Sequence, residues 1–361
     1  MMVGRTLSDT ILKASANQMT QPITFITGGS GLVGSGLLQR LAAGSKIILT
    51  RQPGVLSADE NISAVKGDLC RDDLGLDAST AELLCRRVTE IIHCAADIRF
   101  TSTIEAARAV NTQGTRRLLD FAEQCPHLTK FAHISTLYVA GRRPGLVREE
   151  ALRHDCGYFN VYTQSKHEAE ALVLERMARL PISIFRLSSI IGNSVTGRVS
   201  QANYFHSLIR LMPRAQDVVR IPGDPSAPVD LIADDWATSA LAFLFERHFT
   251  PGRIHHLCAG PTGSLTAEAL FELAFRIYNH RRGTNLRPPQ MASLDSFQRF
   301  GDHVPAWADR PAFQLLSTFL PHLAVNQPFD PGQTGELLAS GALQPPPVAS
   351  FVERVVRRVL S

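Results

Sequence analysis

Thr27-Gly28-Gly29-Ser30-Gly31-Leu32-Val33-Gly34 is the stretch on which the reading of this chain turns. Ahead of it stands Ile23-Thr24-Phe25-Ile26, a short apolar run of strand character. Behind it Leu37, Leu38 and Leu41 recur at helical spacing. The glycines at 28, 31 and 34 form a GxxGxxG pattern between the two. The first permits a tight turn, the second lets the backbone approach a pyrophosphate, and the third lets the helix lie close to the strand. The helix start then turns free N–H groups and a positive dipole end toward phosphate. A glycine-rich turn that binds nothing is the alternative, and the flanking strand and amphipathic helix weigh against it. The loop therefore predicts a dinucleotide site, with Ser30, Leu32 and Val33 lining it beside the three glycines.

Outward from the loop, strands and helices alternate. Lys46-Ile47-Ile48-Leu49-Thr50 reads as a second strand ending at Arg51. In a dinucleotide fold that tip faces the adenosine ribose. A carboxylate there favours NAD, and an arginine suits the 2′-phosphate of NADP. Arg51 thus points to NADP(H), the alternative being a solvated surface arginine. Ile62–Val65 is a short strand ahead of Gly67-Asp68-Leu69, where Asp68 either bonds adenine or caps a turn. Ala78–Arg87 reads as helix. Thr89–His93 is a buried strand running into Cys94-Ala95-Ala96-Asp97, small residues that leave room for a cofactor. His93, alone on an apolar strand, reads as a satisfied interior histidine; nothing stands at zinc-like spacing from it, and no metal site is expected. Ile104–Glu123 carries one helical pattern with Asn111-Thr112-Gln113-Gly114-Thr115 inside it. A mid-helix glycine costs ~1 kcal/mol relative to alanine, which implies a close neighbour at Gly114. Phe131–Ile134 is the next strand, and Ser135-Thr136 stands at its end, where parallel α/β folds place their chemistry.

Tyr162-Thr163-Gln164-Ser165-Lys166 opens a segment of good helix formers that runs to Ala178. A tyrosine and a lysine four apart share one helix face. With five of each in the chain, chance yields roughly 0.07 such pairs. A lysine ammonium near a phenol favours phenolate and lowers its pKa, so that the tyrosine exchanges a proton with a carbonyl or hydroxyl. A structural Tyr–Lys contact is the alternative. Thr136 would hold the substrate oxygen. Ile182–Phe185 is a further strand, followed by Arg186-Leu187-Ser188-Ser189-Ile190. From about residue 195 the rhythm weakens and proline recurs at 213, 222, 225 and 228. Asp234–Phe245 and Thr266–Asn279 return to helical periodicity, with Ile254–Leu257 a strand between them. His255 and His256 point to opposite faces of that strand, a poor metal pair. Ala349–Leu360 reads as a terminal helix with Phe351, Val352, Val355, Val356 and Val359 as its docking face.

Composition bounds the function classes. The chain has 361 residues, 44% of them hydrophobic, and a net charge of +4. No dense basic stripe is interleaved with aromatics, so a nucleic-acid partner is not expected. The six cysteines form no CxxC pair and read as reduced cytosolic thiols, which places the protein in the cytoplasm. No apolar run reaches ~18 residues, so no membrane span is expected. The first 20 residues form an N-terminal arm without a signal-peptide core, in which Leu7, Ile11 and Leu12 suit either a short helix or a loose segment.

Taken together, the motifs resemble the extended short-chain dehydrogenase/reductases. Within them the chain looks most like the NADPH-dependent acyl-thioester reductase branch: fatty acyl-CoA reductases and the terminal reductase domains of carboxylic acid reductases and peptide synthetases. The resemblance runs from about Ile23 to Phe245. It is carried by Thr27–Gly34, Ile91–Ala96, Asn111–Thr115, His133–Thr136 with Tyr138–Gly141, and Tyr162–Lys166. It implies an α/β, Rossmann-type doubly wound parallel sheet over residues 21–194. A smaller, discontinuous C-terminal substrate lobe follows over 195–361, with segments near 230–258 returning to the first domain.

The resemblance also implies an oxidoreductase in which Thr136, Tyr162 and Lys166 are catalytic. Lys166 would further bond the nicotinamide ribose, Asp68-Leu69 embrace adenine, and Asn111 belong to a proton relay. Cys94, Ala95, Ala96, Ser135, Leu187, Ser189 and Ile190 would border the cofactor. Relatives carry Pro-Gly where Leu187-Ser188 follows Arg186 here, so that loop's geometry is expected to differ. The expected substrate is an acyl thioester of CoA or of a carrier protein supplied in trans. Hydroxysteroid, ketone or nucleotide-sugar chemistry is the first alternative, and a silent NADP-binding sensor the second. The reading leaves room for a homodimer.

Overall fold

The computed structural model describes residues 21–53, 61–153, 155–211, 213, 220–292 and 320–361. The helix considered around Leu7, Ile11 and Leu12 lies outside them.

Seven strands form the central parallel sheet: β1 (Ile23–Thr27), β2 (Ser45–Thr50), β3 (Ile62–Lys66), β4 (Glu90–His93), β5 (Lys130–Thr136), β6 (Ile182–Leu187) and a last strand, Ile254–Leu257. Their order is Ile254–Leu257, β6, β5, β4, β1, β2, β3. Strands β3 to β6 thus follow the 3-2-1-4-5-6 order of a doubly wound dinucleotide fold. The order reverses between β1 and β4, which are direct parallel neighbours. Crevices at such a switch point hold ligands, and the glycine loop leaves β1 there. The helices between strands are α1 (Leu32–Leu38), α2 (Ala78–Arg87), α3 (Ile104–Asn111), α4 (Gln113–Glu123) and α5 (Val161–Arg176).

Both faces of the sheet are covered, so its strands read as apolar runs rather than alternations. One cross-strand row is Ile47–Phe25–Ile91–Phe131, all fully buried. Two residues toward the carboxyl ends the row becomes Leu49–Thr27–His93–His133. His93 is satisfied, as expected: Nδ1 lies 2.7 Å from Thr27 Oγ1 and Nε2 lies 2.9 Å from Thr115 Oγ1.

The single helical pattern over Ile104–Glu123 resolves into two helices. Thr103 caps α3 through the Ala106 N–H. The break falls at Thr112, whose hydroxyl donates to the Ser165 carbonyl at 3.1 Å instead of facing solvent. Gly114 shows the close neighbour its cost implied: a Cβ there would lie 3.2 Å from Leu69 Cβ.

The chain divides into two compact units. The first takes the residues up to Ser135, then Ser165–Phe185 and Leu241–Ile254. The second takes Thr136–Gln164, Arg186–Ala240 and the chain from His255 onward. In the second unit, β7 (Ser189–Gly192) pairs in parallel with a strand at Leu231–Ala233. The terminal helix, Val348–Val359, buries Phe351, Val352, Val355, Val356 and Val359. Among the described residues no helix is long and apolar enough to cross a membrane.

Candidate active site

In the first unit the loop after β1 closes on itself, the Gly31 N–H donating to the Gly28 carbonyl at 3.0 Å. Gly28 has φ +72°, and a Cβ there would stand 2.6 Å from the Ala95 nitrogen. The turn therefore needs glycine both for its dihedral and for the contact with the Cys94–Ala95 segment. At Gly34 a Cβ would stand 2.3 Å from the Gly28 carbonyl oxygen, so α1 lies against the loop as the pattern implied. A Cβ on Gly31 would meet only that same oxygen, at 3.3 Å. The three glycines thus split into two that the fold itself requires and one where an added methyl would meet a single backbone oxygen. A loop with no side chain at 28, 31 or 34, at the start of α1, fits a dinucleotide pyrophosphate. Cys94 and Ala95 are fixed beside it, their N–H groups donating to the Thr27 carbonyl at 3.1 Å and hydroxyl at 3.4 Å.

Farther along, Asp68 takes the turn-capping role left open by the sequence. Its Oδ1 accepts the Cys70 N–H at 2.9 Å, while Leu69 is buried against Gly114. Arg51 is exposed just beyond β2.

Lys166 is 2% exposed and donates to the Ile134 carbonyl at 2.8 Å. Burial pulls its ammonium down to about 8, while the charges of Glu170 and Cys94 act in the opposite direction. Asn111 is a structural hub. Its Oδ1 accepts the Asp97 N–H at 2.7 Å, and its Nδ2 donates to the Asp97 carbonyl and to Ser165 Oγ, both at 2.9 Å. Ser135 turns its hydroxyl into the fold, donating to Glu170 at 2.7 Å. Strand β5 is therefore tied to α5 twice, through Ile134–Lys166 and through Ser135–Glu170.

In the second unit Thr136 is 6% exposed. Its hydroxyl oxygen accepts the Tyr138 N–H at 3.3 Å and is hydrogen-bonded to the Tyr162 side chain. Tyr162 sits in the first turn of α5, one turn before Lys166 on that helix. A phenol lowered by the neighbouring ammonium was the expectation, and the direction is opposite. Burial pushes the Tyr162 hydroxyl up to about 12, because losing hydration penalises phenolate; the bond with Thr136 pulls the other way.

Tyr138 is a second hydroxyl at this place that the spacing argument did not single out. It accepts from Ser189 Oγ at 3.3 Å, and burial raises it to about 12 as well. Leu187 and Ile190 are buried in the core, while Ser189 is half-buried.

Arg186 is fully buried, with Nη2 donating to the Glu150 carbonyl at 2.9 Å and Nη1 lying 3.2 Å from His256 Nε2. His255 goes its own way, to Thr334 Oγ1 at 2.8 Å. Among the described residues no group of three His, Cys, Asp or Glu side chains is placed to hold a metal ion.

The doubly wound strand order and the glycine loop at its switch point are those of an oxidoreductase of the extended short-chain dehydrogenase/reductase type, which uses a nicotinamide cofactor. Residues 45–241 match the NAD-binding family described as Male sterility protein, and the chain belongs to that family.

Relatives include the isonitrile lipopeptide synthase of Streptomyces coeruleorubidus, 32% identical over 51% of this chain and 14% of that one. The alcohol-forming fatty acyl-CoA reductase of Simmondsia chinensis is 36% identical over 25% of this chain and 19% of that one. The chain thus spans less than a fifth of either relative's length. Among solved structures, the terminal R domain from the myxalamid PKS-NRPS biosynthetic pathway superposes with a TM-score of 0.75. It is 24% identical, over 93% of this chain and 90% of that one, and the likeness is one of fold.

Proposed function

We propose that this protein is an NADPH-dependent reductase of an acyl thioester. The observation that carries the reading is the hydrogen-bonded Thr136–Tyr162 pair, with its phenol held protonated and Lys166 one turn along the same helix. Reduction of a carbonyl requires a proton donor at the oxygen, and a tyrosine with a high pKa keeps its proton until a developing alkoxide takes it.

The dinucleotide, when bound, supplies hydride to a carbonyl carbon. The cradle around Gly31 would hold its pyrophosphate, Lys166 its ribose, and Arg51 a 2′-phosphate. Thr136 and Tyr162 would both bond the carbonyl oxygen, where negative charge accumulates and where electrostatic stabilisation contributes most. Tyr162 then gives its proton to that oxygen, and the resulting hemithioacetal collapses with cleavage of the C–S bond to an aldehyde and a thiol.

The acyl-thioester choice is supported by the family and by relatives named as a fatty acyl-CoA reductase and a lipopeptide synthase. A carrier in trans or CoA itself would meet Arg142, Arg143 and Arg148. The backbone of this loop is pinned by Gln327, whose amide donates to the carbonyls of Gly141 and Arg143 at 3.0 and 2.6 Å. Arg142 and Arg148 are exposed.

The test is free-thiol release coupled to NADPH consumption, with acyl-CoA and acyl-carrier substrates of several chain lengths. Stoichiometric thiol is expected, and Tyr162→Phe should lower turnover by roughly 10²–10⁴ while leaving cofactor binding intact. Turnover of a simple ketone or a nucleotide sugar, without thiol release from any thioester, would move the assignment to another extended-reductase chemistry.

A further inference from the structure

His322 lies in a short helical turn, Leu320–Ala324, and its ring is wedged between the two segments that carry Thr136 and Tyr162. Toward the first segment it meets Tyr138 edge-on, with ring centroids 4.8 Å apart and planes at 83°. Tyr138 is two residues past Thr136, and its N–H is the one that bonds the Thr136 hydroxyl. Toward the second segment it lies over Phe159, with centroids 4.1 Å apart and planes at 30°. Its Nε2 stands 3.3 Å from the side-chain amide of Asn160, two residues before Tyr162.

Asn160 is the cap of α5. Its Oδ1 accepts the Thr163 N–H at 3.0 Å, and Thr163 Oγ1 accepts the Asn160 N–H at 3.2 Å, a reciprocal box that fixes the helix's first turn. With Oδ1 engaged as acceptor, Nδ2 is the donor toward His322. Nε2 therefore accepts, and the ring proton sits on Nδ1. Burial holds this imidazole down at about 3, and the charge of Arg142 acts the same way, so the ring is neutral and able to accept throughout the working pH range.

We propose that His322 is a positioning residue: by holding Asn160 and Tyr138 against one ring, it sets the approach of the Tyr162 hydroxyl to Thr136. The inference rests on the reading of Tyr162 as proton donor. Without the ring's acceptor, the capping asparagine loses its second anchor. The first turn of α5, which carries Tyr162, then frays as uncapped helix starts do.

His322→Phe keeps the ring contacts and deletes the acceptor. Asn160→Ser keeps a capping oxygen and deletes the amide donor, its O–H being one bond too short to reach the ring. Both are assayed for NADPH oxidation with the thioester substrate, for melting, and for NADPH affinity by nucleotide fluorescence, alone and combined with Tyr162→Phe. The expected result is a fall in kcat of about tenfold in each single variant, with KM and cofactor affinity within about twofold of wild type. Added to Tyr162→Phe, either change should cost no further rate, since its effect runs through that hydroxyl. Unchanged kcat in both single variants, or the same tenfold loss on top of Tyr162→Phe, overturns the positioning role alone. Full turnover in Tyr162→Phe overturns the proton-donor reading, and the inference with it. If His322→Phe melts early, Asn160→Ser, which leaves the ring packing in place, decides the question by the same kinetic criteria.

Discussion

Alanine at position 31 separates the two demands that the glycine loop meets. Gly31 has φ −75° and ψ 171°, extended backbone that any residue adopts. A methyl group there would touch only the Gly28 carbonyl oxygen, at 3.3 Å, which a shift of a few tenths of an ångström relieves. Replacing glycine also narrows the unfolded ensemble, a gain of ~0.4–1 kcal/mol that offsets the tight contact. Gly31→Ala should therefore melt within ~1 kcal/mol of wild type.

At Gly34 the same methyl would stand 2.3 Å from the Gly28 oxygen and 2.8 Å from Gly29 Cα, all of it backbone. Overpacking of this kind costs ~1–3 kcal/mol, and Gly34→Ala should melt several degrees early. Binding separates the pair differently. If the loop holds the pyrophosphate as proposed, a methyl on residue 31 crowds it, so Gly31→Ala should bind nicotinamide dinucleotide at least tenfold more weakly, about 1.4 kcal/mol. Differential scanning fluorimetry and a fluorescence titration with NADPH measure the two effects on the same samples. Wild-type affinity in a stably folded Gly31→Ala would refute the phosphate cradle. An early melt of Gly31→Ala matching that of Gly34→Ala would refute the division of labour between the glycines.

Arg51→Ala should weaken NADPH binding and barely touch NADH; equal weakening of both, or tighter wild-type binding of NADH, would remove the 2′-phosphate role. Asn111→Ala should destabilise the fold by ~1–3 kcal/mol, because it strands the Asp97 N–H and the Asp97 carbonyl; a variant with normal melting and reduced rate would instead favour a relay role. Lys166 carries a depressed pKa of about 8 against an ordinary 10.5. Below about 8 it is charged in both states and the penalty of burying the charge stands in full. Between about 8 and 10.5 the unfolded chain holds a proton that the folded one lacks, so this group's contribution to stability rises with pH. Melts of wild type against Lys166→Met should show the wild type gaining through that window, and turnover should fall there as the ammonium is lost. A pH-independent difference between the two proteins would show that Lys166 does not titrate as its burial requires.

The parts of the fold that were legible in the sequence are those set by local pattern. The glycine loop is one, because GxxGxxG between a strand and a helix leaves few backbone solutions. Buried parallel strands are another, because four or five consecutive apolar residues have no solvent face to mark. The break at Thr112 was not legible. It is made by a tertiary hydrogen bond to Ser165, 53 residues away, inside a pattern that reads as one helix. The direction of the Tyr162 shift was missed for a related reason: spacing shows a lysine one turn away but not the desolvation that outweighs it. The partners of Asp68 and Ser135, a local turn and a buried glutamate, are likewise not visible in residue type or spacing. His322 had no local signal, because its partner Asn160 is 162 residues earlier in the chain.

The double tie between β5 and α5 has an evolutionary consequence. Ile134–Lys166 and Ser135–Glu170 hold the two ends of the excursion Thr136–Gln164 at its base. The two hydroxyls proposed to act on the carbonyl, Thr136 and Tyr162, sit at its ends, next to the ties. The exposed stretch around Arg142–Arg148 sits in its middle. Substitutions of its exposed side chains, Arg142 and Arg148 among them, can thus be sampled at small energetic cost while Thr136 and Tyr162 stay in place. On the function proposed above, the side chains of this stretch that would meet a substrate can change without disturbing the pair that would transfer the proton.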